Sequence, residues 1–414
     1  MMRHALGIML AAIAQISVSA ARAQLQPTSQ PRELLTVAET SDYRATARYD
    51  EMIKLLEAMD ASLPYTTRIN IGKSAEGRDI PALIVADPPV ATPEEMRRQR
   101  DADGKIVVLA IGNIHAGEVD GKEALPMVIR EATRGSRVPL LQRLILIIAP
   151  IYNCDGNERI SRANRPEQNG PENGVGVRHN ALDLDLNRDF IKLEAPETQG
   201  LVAAFNHWDP DIFIDMHTTN GSYHRYLVTW EGPKSPAGDA PLIEFVRDRM
   251  LQGVARIAKE RYELPTFVYG DFAENHTRWV TYPAEGRYST TYFGLRGRIS
   301  VLSESYSYAT YRRRIEASRD FMLSVMEFAA ANRDDIRRVL REVDERAVRR
   351  VAAGDIQFAI QTDAKAAPHK VIAAGFVEKP EGKTTISTGE PKDYEVELMT
   401  HFHATRTVAL PEAY

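Results

Sequence analysis

The sequence predicts an α/β fold, in which a mixed, mostly parallel β-sheet carries helices on both faces and is followed by a small C-terminal β-rich segment. Four short runs are mainly apolar, as is typical of strands buried on both faces. They cover residues 106–111, 144–151, 211–216 and 299–303. Helical spacing of apolar residues separates them, as in residues 121–130 and 195–207. Strands that alternate with helices indicate a parallel sheet.

Residues 1–23 have the features of a cleaved export signal. Arg3 precedes an apolar segment over residues 5–14, and Ala21-Arg22-Ala23 supplies the small-x-small pattern of a signal peptidase site. The apolar segment is too short to span a bilayer. We therefore expect an exported protein, periplasmic or extracellular, without a membrane span, in which residues 24–42 form a flexible lead.

Charge and cysteine content exclude two classes of site. The net charge of −5 becomes −7 when Arg3 and Arg22 leave with the signal, which argues against a nucleic-acid partner. The basic run at residues 312–314 is short and opens a helical pattern. Cys154 is the single cysteine, so one chain offers neither a disulfide framework nor a thiolate metal site. Any zinc must be held by histidines and carboxylates.

The chain divides into a main domain over residues 43–335 and an accessory segment over residues 336–414. Strand patterns at 66–71 and 80–86 flank a turn and predict a hairpin at one edge of the sheet. Two helical patterns, 311–331 and 334–351, break near Asn332. Alternating segments at 357–361, 370–377 and 394–401 follow, and they predict a small β-rich unit. The chain ends at Tyr414 without a polar tail, which raises the expectation of a truncated sequence.

Potential metal ligands stand at the ends of the apolar runs. His115 and Glu118 follow the first run, but a histidine with an acid three positions later is common by chance in a chain with 10 His and 57 acidic residues. His217 then ends the third run in the same way, and Glu304 ends the fourth. Since ligands bind at the carboxyl ends of strands in open α/β sheets, these side chains are expected in one crevice. Two histidines and one carboxylate are a zinc set that leaves a fourth position for water.

A long polar loop over residues 157–189 is rich in Gly, Asn and Pro, and loops of this length inside a domain are usually functional. Several segments, taken in order, resemble the zinc carboxypeptidase family whose founding member is carboxypeptidase A. The resemblance covers roughly residues 65 to 330. It rests on the Gly-x-Ser-x-Glu-Gly-Arg turn at 72–78, the His-x-x-Glu pair at 115–118, Asn153-Cys154-Asp155-Gly156 with Cys154 in place of proline, Leu184-Asp185-Leu186-Asn187-Arg188, His217 and Glu304.

The resemblance implies a role for each ligand position. His115, Glu118 and His217 would hold one Zn²⁺ per chain, which lowers the pKa of water and polarises the scissile carbonyl. Glu304 would act as general base and then as proton donor to the leaving amine. Asp185 would orient His115 through its second ring nitrogen.

The resemblance also implies the substrate-binding groups. Arg165 would stabilise the oxyanion, with Arg162 as the alternative, and Asn187 and Arg188 would grip the terminal carboxylate of the substrate. The family's mobile tyrosine corresponds to Tyr282, with Tyr288 or Tyr292 as alternatives. Arg287, in the next loop, would favour acidic terminal residues.

The leading hypothesis is an exported zinc-dependent metallocarboxypeptidase that acts on peptide or protein C-termini. Residues 215–220 are closer to the related aspartoacylase and succinylglutamate-desuccinylase branch, so the alternative is a zinc deacylase of N-acyl amino acids or a cell-wall peptide hydrolase. A non-catalytic binding module on an inactivated peptidase fold is the third hypothesis, although all four positions of the site are filled. The sequence leaves the oligomeric state open.

Overall fold

The apolar runs of the sequence form the centre of an eight-stranded sheet in the computed structural model, which describes residues 34–219, 221–354, 357–382 and 384–409. The expected signal peptide, residues 1–23, lies outside the described residues. The strands are β1 Thr66–Lys73, β2 Asp79–Val85, β3 Ile106–Gly112, β4 Leu144–Ala149, β5 Ile212–Thr219, β6 Val228–Glu231, β7 Thr266–Val268, β8 Asp271–Ala273, β9 Arg278–Val280, β10 Ile299–Tyr306, β11 Gln357–Lys365, β12 Val371–Glu381, β13 Thr384–Met399 and β14 His401–Ala409.

The strand order of the large sheet is β1-β2-β4-β3-β5-β10-β6-β7. The four central strands β4, β3, β5 and β10 are mutually parallel, while the β1–β2 hairpin lies antiparallel at one edge and β6 pairs antiparallel with β10. Every residue of the four central strands is buried, so both faces of the sheet are covered. The expected mixed, mostly parallel sheet with an edge hairpin is confirmed.

Eleven α-helices connect and cover the strands of the described residues. They are α1 Val37–Thr40, α2 Tyr49–Ser62, α3 Pro93–Asp103, α4 Asp120–Ala132, α5 Cys154–Glu158, α6 Pro196–Trp208, α7 Ala240–Glu244, α8 Leu251–Tyr262, α9 Ser289–Leu295, α10 Tyr311–Ala331 and α11 Arg333–Ala352. Local sequence signals explain their ends. Thr92 caps α3 in a capping box with Glu95, and Gly104 ends this helix in the left-handed conformation. The described residues include no helix long and apolar enough to cross a bilayer.

The C-terminal strands form two small sheets. β11 pairs with β14, while the β12–β13 hairpin joins β9 and β8 in a four-stranded sheet of order β12-β13-β9-β8. The expected β-rich segment is present, but β13 begins at Thr384 instead of residue 394. The first half of β13 is polar and largely exposed, so no alternation of apolar residues marked it in the sequence.

The segment from Leu34 onwards is packed, which differs from the flexible lead expected over residues 24–42. Leu34 and Ala38 are buried, and residues 37–40 form α1. Arg130 of α4 holds this segment, because its Nη1 donates to the carbonyl of Leu34 at 2.7 Å and its guanidinium pairs with Glu39. A buried apolar anchor together with an ion pair offsets the entropy cost of ordering the lead.

Candidate active site

Three parallel strands bring the predicted site residues to one end of the sheet. His115 and Glu118 lie in the turn between β3 and α4, and His217 and Glu304 lie on β5 and β10. The two strands pair in parallel register with His217 directly beside Glu304. All four side chains are buried, and all four line one cavity of about 290 Å³. The register of the strands therefore fixes the geometry of the site.

His115, Glu118 and His217 could hold a metal ion. Glu118 Oε1 lies 3.0 Å from His115 Nδ1, and Glu118 Oε2 lies 2.8 Å from His217 Nδ1. The centroids of the two imidazole rings are 5.0 Å apart. One ligand atom from each residue falls in a set whose members all lie within 4.8 Å of one another. The donor set of two imidazoles and one carboxylate fits zinc.

The outer nitrogen of each ring faces a carboxylate, as metal-binding histidines commonly require. His115 Nε2 lies 3.1 Å from Asp185 Oδ1. The family resemblance suggests Asp185 for this contact. His217 Nε2 lies 3.0 Å from Asp215 Oδ2, a residue that sequence reasoning missed. A signal was available, because residues two apart on a strand point to the same face. Both imidazoles are thus oriented with Nδ1 towards Glu118.

The electrostatics of the cluster favour its charged forms. Burial works against the charge of Glu118, but His115 and Arg165 outweigh it and hold the pKa of this carboxyl well below its usual range. Burial likewise opposes a charged His217, yet the Asp215 and Glu118 carboxylates raise its pKa well above the ordinary value. A metal ion binds the neutral imidazole, so a bound cation would take the place of the proton on His217.

Glu304 behaves differently from the other carboxylates of the cavity. Burial raises its pKa to about 8; the neighbouring His217 counteracts this rise and Glu118 adds to it. A carboxyl group whose pKa lies near neutrality is suited to accept and return a proton. The cavity therefore holds one carboxyl group that can exchange a proton near neutral pH.

The structure separates the arginines of the long loop. Arg165 donates from Nη1 to Glu118 Oε1 and from Nη2 to the Thr218 carbonyl, each at 2.8 Å, so it contacts a ligand residue and is not among the residues that line the cavity. A side chain at Gly117 would clash with it, since an added Cβ would lie 2.7 Å from Arg165 Cδ. Arg162 is exposed.

Arg178 is a cation that sequence reasoning missed. It lines the cavity, and its Nε donates to Asp185 Oδ2 at 2.8 Å. Burial raises the pKa of Asp185, but His115 and Arg178 together lower it well below the usual range. Arg178 therefore supplies positive charge at the cavity wall, whereas Arg165 does not line the cavity.

Asn187 and Arg188 line the cavity, as do Tyr282 and Tyr288. Asn187 is held in place by Ser289, whose backbone N–H donates to Asn187 Oδ1 at 2.8 Å. The Arg188 guanidinium carbon lies 4.5 Å from the centroid of the Tyr288 ring. Asn187 and Arg188 thus add polar groups to the cavity that Glu304 also lines.

Tyr282 is fixed by its neighbours. Its hydroxyl lies 2.9 Å from Thr290 Oγ1, and Lys234 Nζ lies 3.1 Å from the ring centroid. The third candidate, Tyr292, packs against Phe190 instead.

Arg287 is not among the residues that line the cavity, although its Nη2 donates to the hydroxyl of Tyr288, which does line it, at 3.3 Å. It forms an ion pair with Glu285 and lines an adjacent groove of about 470 Å³. Its place in the structure gives no support to the expectation that it selects acidic terminal residues.

Two of the motifs quoted from the sequence contact each other in the structure. Ser74 Oγ and Arg78 Nη1 both donate to Asp155 Oδ1 at 2.7 Å, and the backbone N–H of Glu76 donates to Asp155 Oδ2 at 2.9 Å. Cys154, which replaces the family's proline, is buried, and burial raises the pKa of its thiol well above the ordinary value. The turn at 72–78 thus anchors the loop that follows β4.

Comparisons with known proteins found a matching family model, similar sequences and similar structures. The family model described as zinc carboxypeptidase matches residues 52–293, a range that contains the three ligand residues and ends before Glu304. Carboxypeptidase Z of Mus musculus is 32% identical over 154 residues, which are 35% of this chain and 21% of the relative. A protein of Arthroderma otae named as an inactive metallocarboxypeptidase is 29% identical over 150 residues, or 34% of this chain and 24% of the relative. The chain thus spans about a quarter or less of the length of these relatives.

A solved structure shows the same fold. The metallo-carboxypeptidase from Pseudomonas aeruginosa in complex with (2-guanidinoethylmercapto)succinic acid superimposes with a TM-score of 0.50 at 19% sequence identity. The match covers 70% of this chain and 69% of that one. At this identity the likeness is one of architecture.

Proposed function

Because the chain belongs to the zinc carboxypeptidase family, we propose that it is a zinc-dependent metallocarboxypeptidase that hydrolyses the peptide bond before the C-terminal residue of a peptide. One observation carries the proposal. His115, Glu118 and His217 lie in the same cavity as a fourth buried group, the Glu304 carboxyl, and Glu304 is the register partner of His217 on the adjacent parallel strand. Structural carboxylates have no need of such an arrangement, whereas hydrolysis at a metal requires it.

The residues present fit zinc, and the ligands would be His115, Glu118 and His217. Bound zinc supplies a Lewis acid, which polarises the scissile carbonyl and lowers the pKa of water. Asp185 and Asp215 would keep Nδ1 of each imidazole directed at the ion by holding Nε2. One zinc per chain follows from the single cluster of this kind among the described residues.

Glu304 would move the proton. It accepts a proton from water as the water oxygen bonds to the carbonyl carbon, and it delivers this proton to the amine nitrogen as the C–N bond breaks. A neighbouring divalent cation favours the carboxylate form of Glu304, so its pKa of about 8 in the metal-free protein would fall on binding. Burial keeps bulk water away from this exchange.

Arginines would bind the anionic parts of the substrate. Arg188 has the planar fork that pairs with a terminal carboxylate in a bidentate manner, and Asn187 lies beside it. Arg178 lines the cavity and is the better placed cation for the oxyanion, whereas Arg165 would keep Glu118 oriented. Tyr282 would form a wall of the pocket for the terminal side chain.

We also propose that the enzyme is exported, on the strength of the signal pattern in residues 1–23. Cells that express the full chain should release a protein whose N-terminus begins near Gln24. Fractionation followed by N-terminal sequencing measures this, and a cytoplasmic protein with an intact leader would contradict it.

The activity is tested with a peptide library and mass spectrometry, on protein loaded with zinc. The expected products lack a single C-terminal residue. Internal cleavage, or activity confined to N-acyl amino acids, would replace the carboxypeptidase with the peptide hydrolase or the deacylase. Zinc-loaded protein that cleaves none of these substrates would favour a binding module, as the inactive relative illustrates.

A further inference from the structure

A buried polar cluster adjoins the candidate site, and one of its members, Thr218, lines the cavity. It consists of Asp120 at the start of α4, Thr218 on β5, Ser305 on β10 and Arg314 on α10, and is called the Asp120 cluster below. All four residues are buried, and Asp120 and Arg314 have no exposed surface. A charge pair that is fully removed from water is costly, and its desolvation often exceeds the attraction between its members. Stability alone therefore does not explain why the cluster is present.

A single oxygen atom joins the cluster. Asp120 Oδ2 accepts hydrogen bonds from Thr218 Oγ1 and Ser305 Oγ, each at 2.6 Å, and from Arg314 Nε at 2.9 Å. Three donors from three different elements of the fold thus converge on one carboxylate. Charge-assisted bonds of this kind are short and strong, so they fix the relative positions of the elements.

The two cluster residues on the strands, Thr218 and Ser305, are each adjacent in sequence to a residue of the site. Thr218 follows His217 and Ser305 follows Glu304, and the two pairs lie side by side in the parallel register of β5 and β10. Asp120 stands two residues after Glu118. The backbone N–H of Thr218 also donates to Glu118 Oε2 at 3.1 Å. The three segments that carry ligands and base are consequently tied together by one carboxylate.

Arg314 extends this tie to the loops around the site. Its Nη1 donates to the carbonyls of Asn169, Ser307 and Ala309, and its Nη2 donates to that of Gly170. A lysine cannot reproduce these contacts, since an ammonium lacks the rigid fork of five donors. Arg314 therefore connects the Asp120 carboxylate with the loop after β10 and with the long polar loop.

We propose that Asp120 and Arg314 are positioning residues, which set the distance between the metal ligands and Glu304 by holding the residues that follow His217 and Glu304. The proposal rests on the proposed function for the identity of the site. It predicts that a loosened cluster leaves the fold intact while it misplaces His217 relative to Glu304. A misplacement of about 1 Å at a catalytic group costs roughly 100-fold in rate.

The test removes one donor at a time without changing charge. Ser305→Ala deletes one hydroxyl, and Thr218→Val deletes the other while it keeps the shape of the side chain. Ser324→Ala is the matched control, because Ser324 is a buried serine of α10 whose Oγ donates to the Asp320 carbonyl at 2.8 Å, away from the cluster. Zn²⁺ affinity is measured by competition with a chelator, and kcat and KM are measured on a peptide with a free C-terminus.

The first two variants are expected to lose about tenfold in Zn²⁺ affinity and roughly 10- to 100-fold in kcat with little change in KM. Ser324→Ala should match the wild type in both. Arg314→Lys, which keeps the charge, should show the same losses as Ser305→Ala or larger ones. A thermal unfolding measurement on each variant checks that it is folded.

The two proposals fail in different ways. Cluster variants that bind zinc and turn over like Ser324→Ala would overturn the positioning role and leave the proposed function untouched. Wild-type protein that binds zinc but cleaves no peptide would overturn the proposed function, and the difference in Zn²⁺ affinity between Ser305→Ala and Ser324→Ala would still decide the positioning role. Wild-type protein that binds no zinc would overturn both.

Discussion

The central strands and the C-terminal strands of this protein differ in how far their side chains are buried. β3, β5 and β10 are buried at every residue, whereas most residues of β11 and β14 are exposed to some degree. A slip by one residue would move every side chain of a buried strand into a different close-packed environment, whereas an exposed polar strand meets no such constraint. The residues of the candidate site accordingly lie on or directly after the strands whose register is fixed. Pairs of like residues, one from each region, sharpen this comparison.

The largest contrast is expected between two glutamates. Glu304→Gln should lower kcat by roughly 10²- to 10⁴-fold, because the amide cannot accept the proton, while zinc is retained. Glu378→Gln removes a carboxylate from β12, where Glu378 pairs with His276, and should leave kcat unchanged. Steady-state kinetics with metal analysis of both variants measures the difference. If Glu304→Gln turns over as fast as the wild type, the general base must be another residue.

Two histidines should differ in their response to zinc. Zinc at 100 times its dissociation constant stabilises the folded protein by about 2.7 kcal/mol, because it binds the folded state alone. His217→Gln should lose most of this gain, and His276→Gln, at the edge of the C-terminal sheet, should keep it. Urea unfolding with and without Zn²⁺ provides the measurement. Equal gains in both variants would show that zinc binds elsewhere.

His224 lies where the two regions meet, since it bridges to Gly375 of β12. Burial lowers its pKa from 6.5 to about 3, so the folded protein holds it neutral. Between these two values the unfolded chain binds more protons, and the free energy of unfolding falls as the pH falls, by about 2 kcal/mol from pH 7 to pH 5. Denaturant unfolding at several pH values measures the slope.

The variant His224→Asn should flatten this slope, because it keeps an acceptor for the backbone N–H of Tyr226 but cannot be protonated. His207→Gln, at an exposed position, is the control and should keep the wild-type slope. An unchanged slope in His224→Asn would assign the pH dependence to other groups.

The smallest contrast is between two isoleucines. Ile147 of β4 has no exposed surface, and Ile372 of β12 is 58% exposed. Ile147→Val should cost about 0.5–1.5 kcal/mol in the free energy of unfolding, and Ile372→Val should change it by less than about 0.5 kcal/mol. Chemical denaturation of the two variants measures both values. Equal losses would mean that the C-terminal sheet is packed as tightly as the core.

The sequence predicted the buried region well because burial leaves a pattern. Apolar runs located β3, β4, β5 and β10, and the polar residues that end them pointed to one crevice. The first half of β13 carries no such pattern, so its beginning was placed ten residues too late. The four short strands β6 to β9 were also missed, since three or four residues are too few to show a period.

The residues of the candidate site divide in the same way. His115, His217 and Glu304 could be found because each ends a recognisable strand, and Asp215 could have been found from its spacing to His217. Arg178 lies in the long loop, where position in the sequence does not determine position in space. The pair Asp120 and Arg314 is separated by 194 residues, and only the fold shows that the two side chains meet.

The rate at which the buried thiol of Cys154 is modified can be used to measure local opening of the protein. Cys154 is the single cysteine of the chain and has no exposed surface, so an alkylating reagent reaches it only in molecules that have opened around the loop after β4. The rate of its modification thus measures how often that loop, which the turn at 72–78 anchors, comes free. Purification can also dispense with thiol reductants, which compete for zinc.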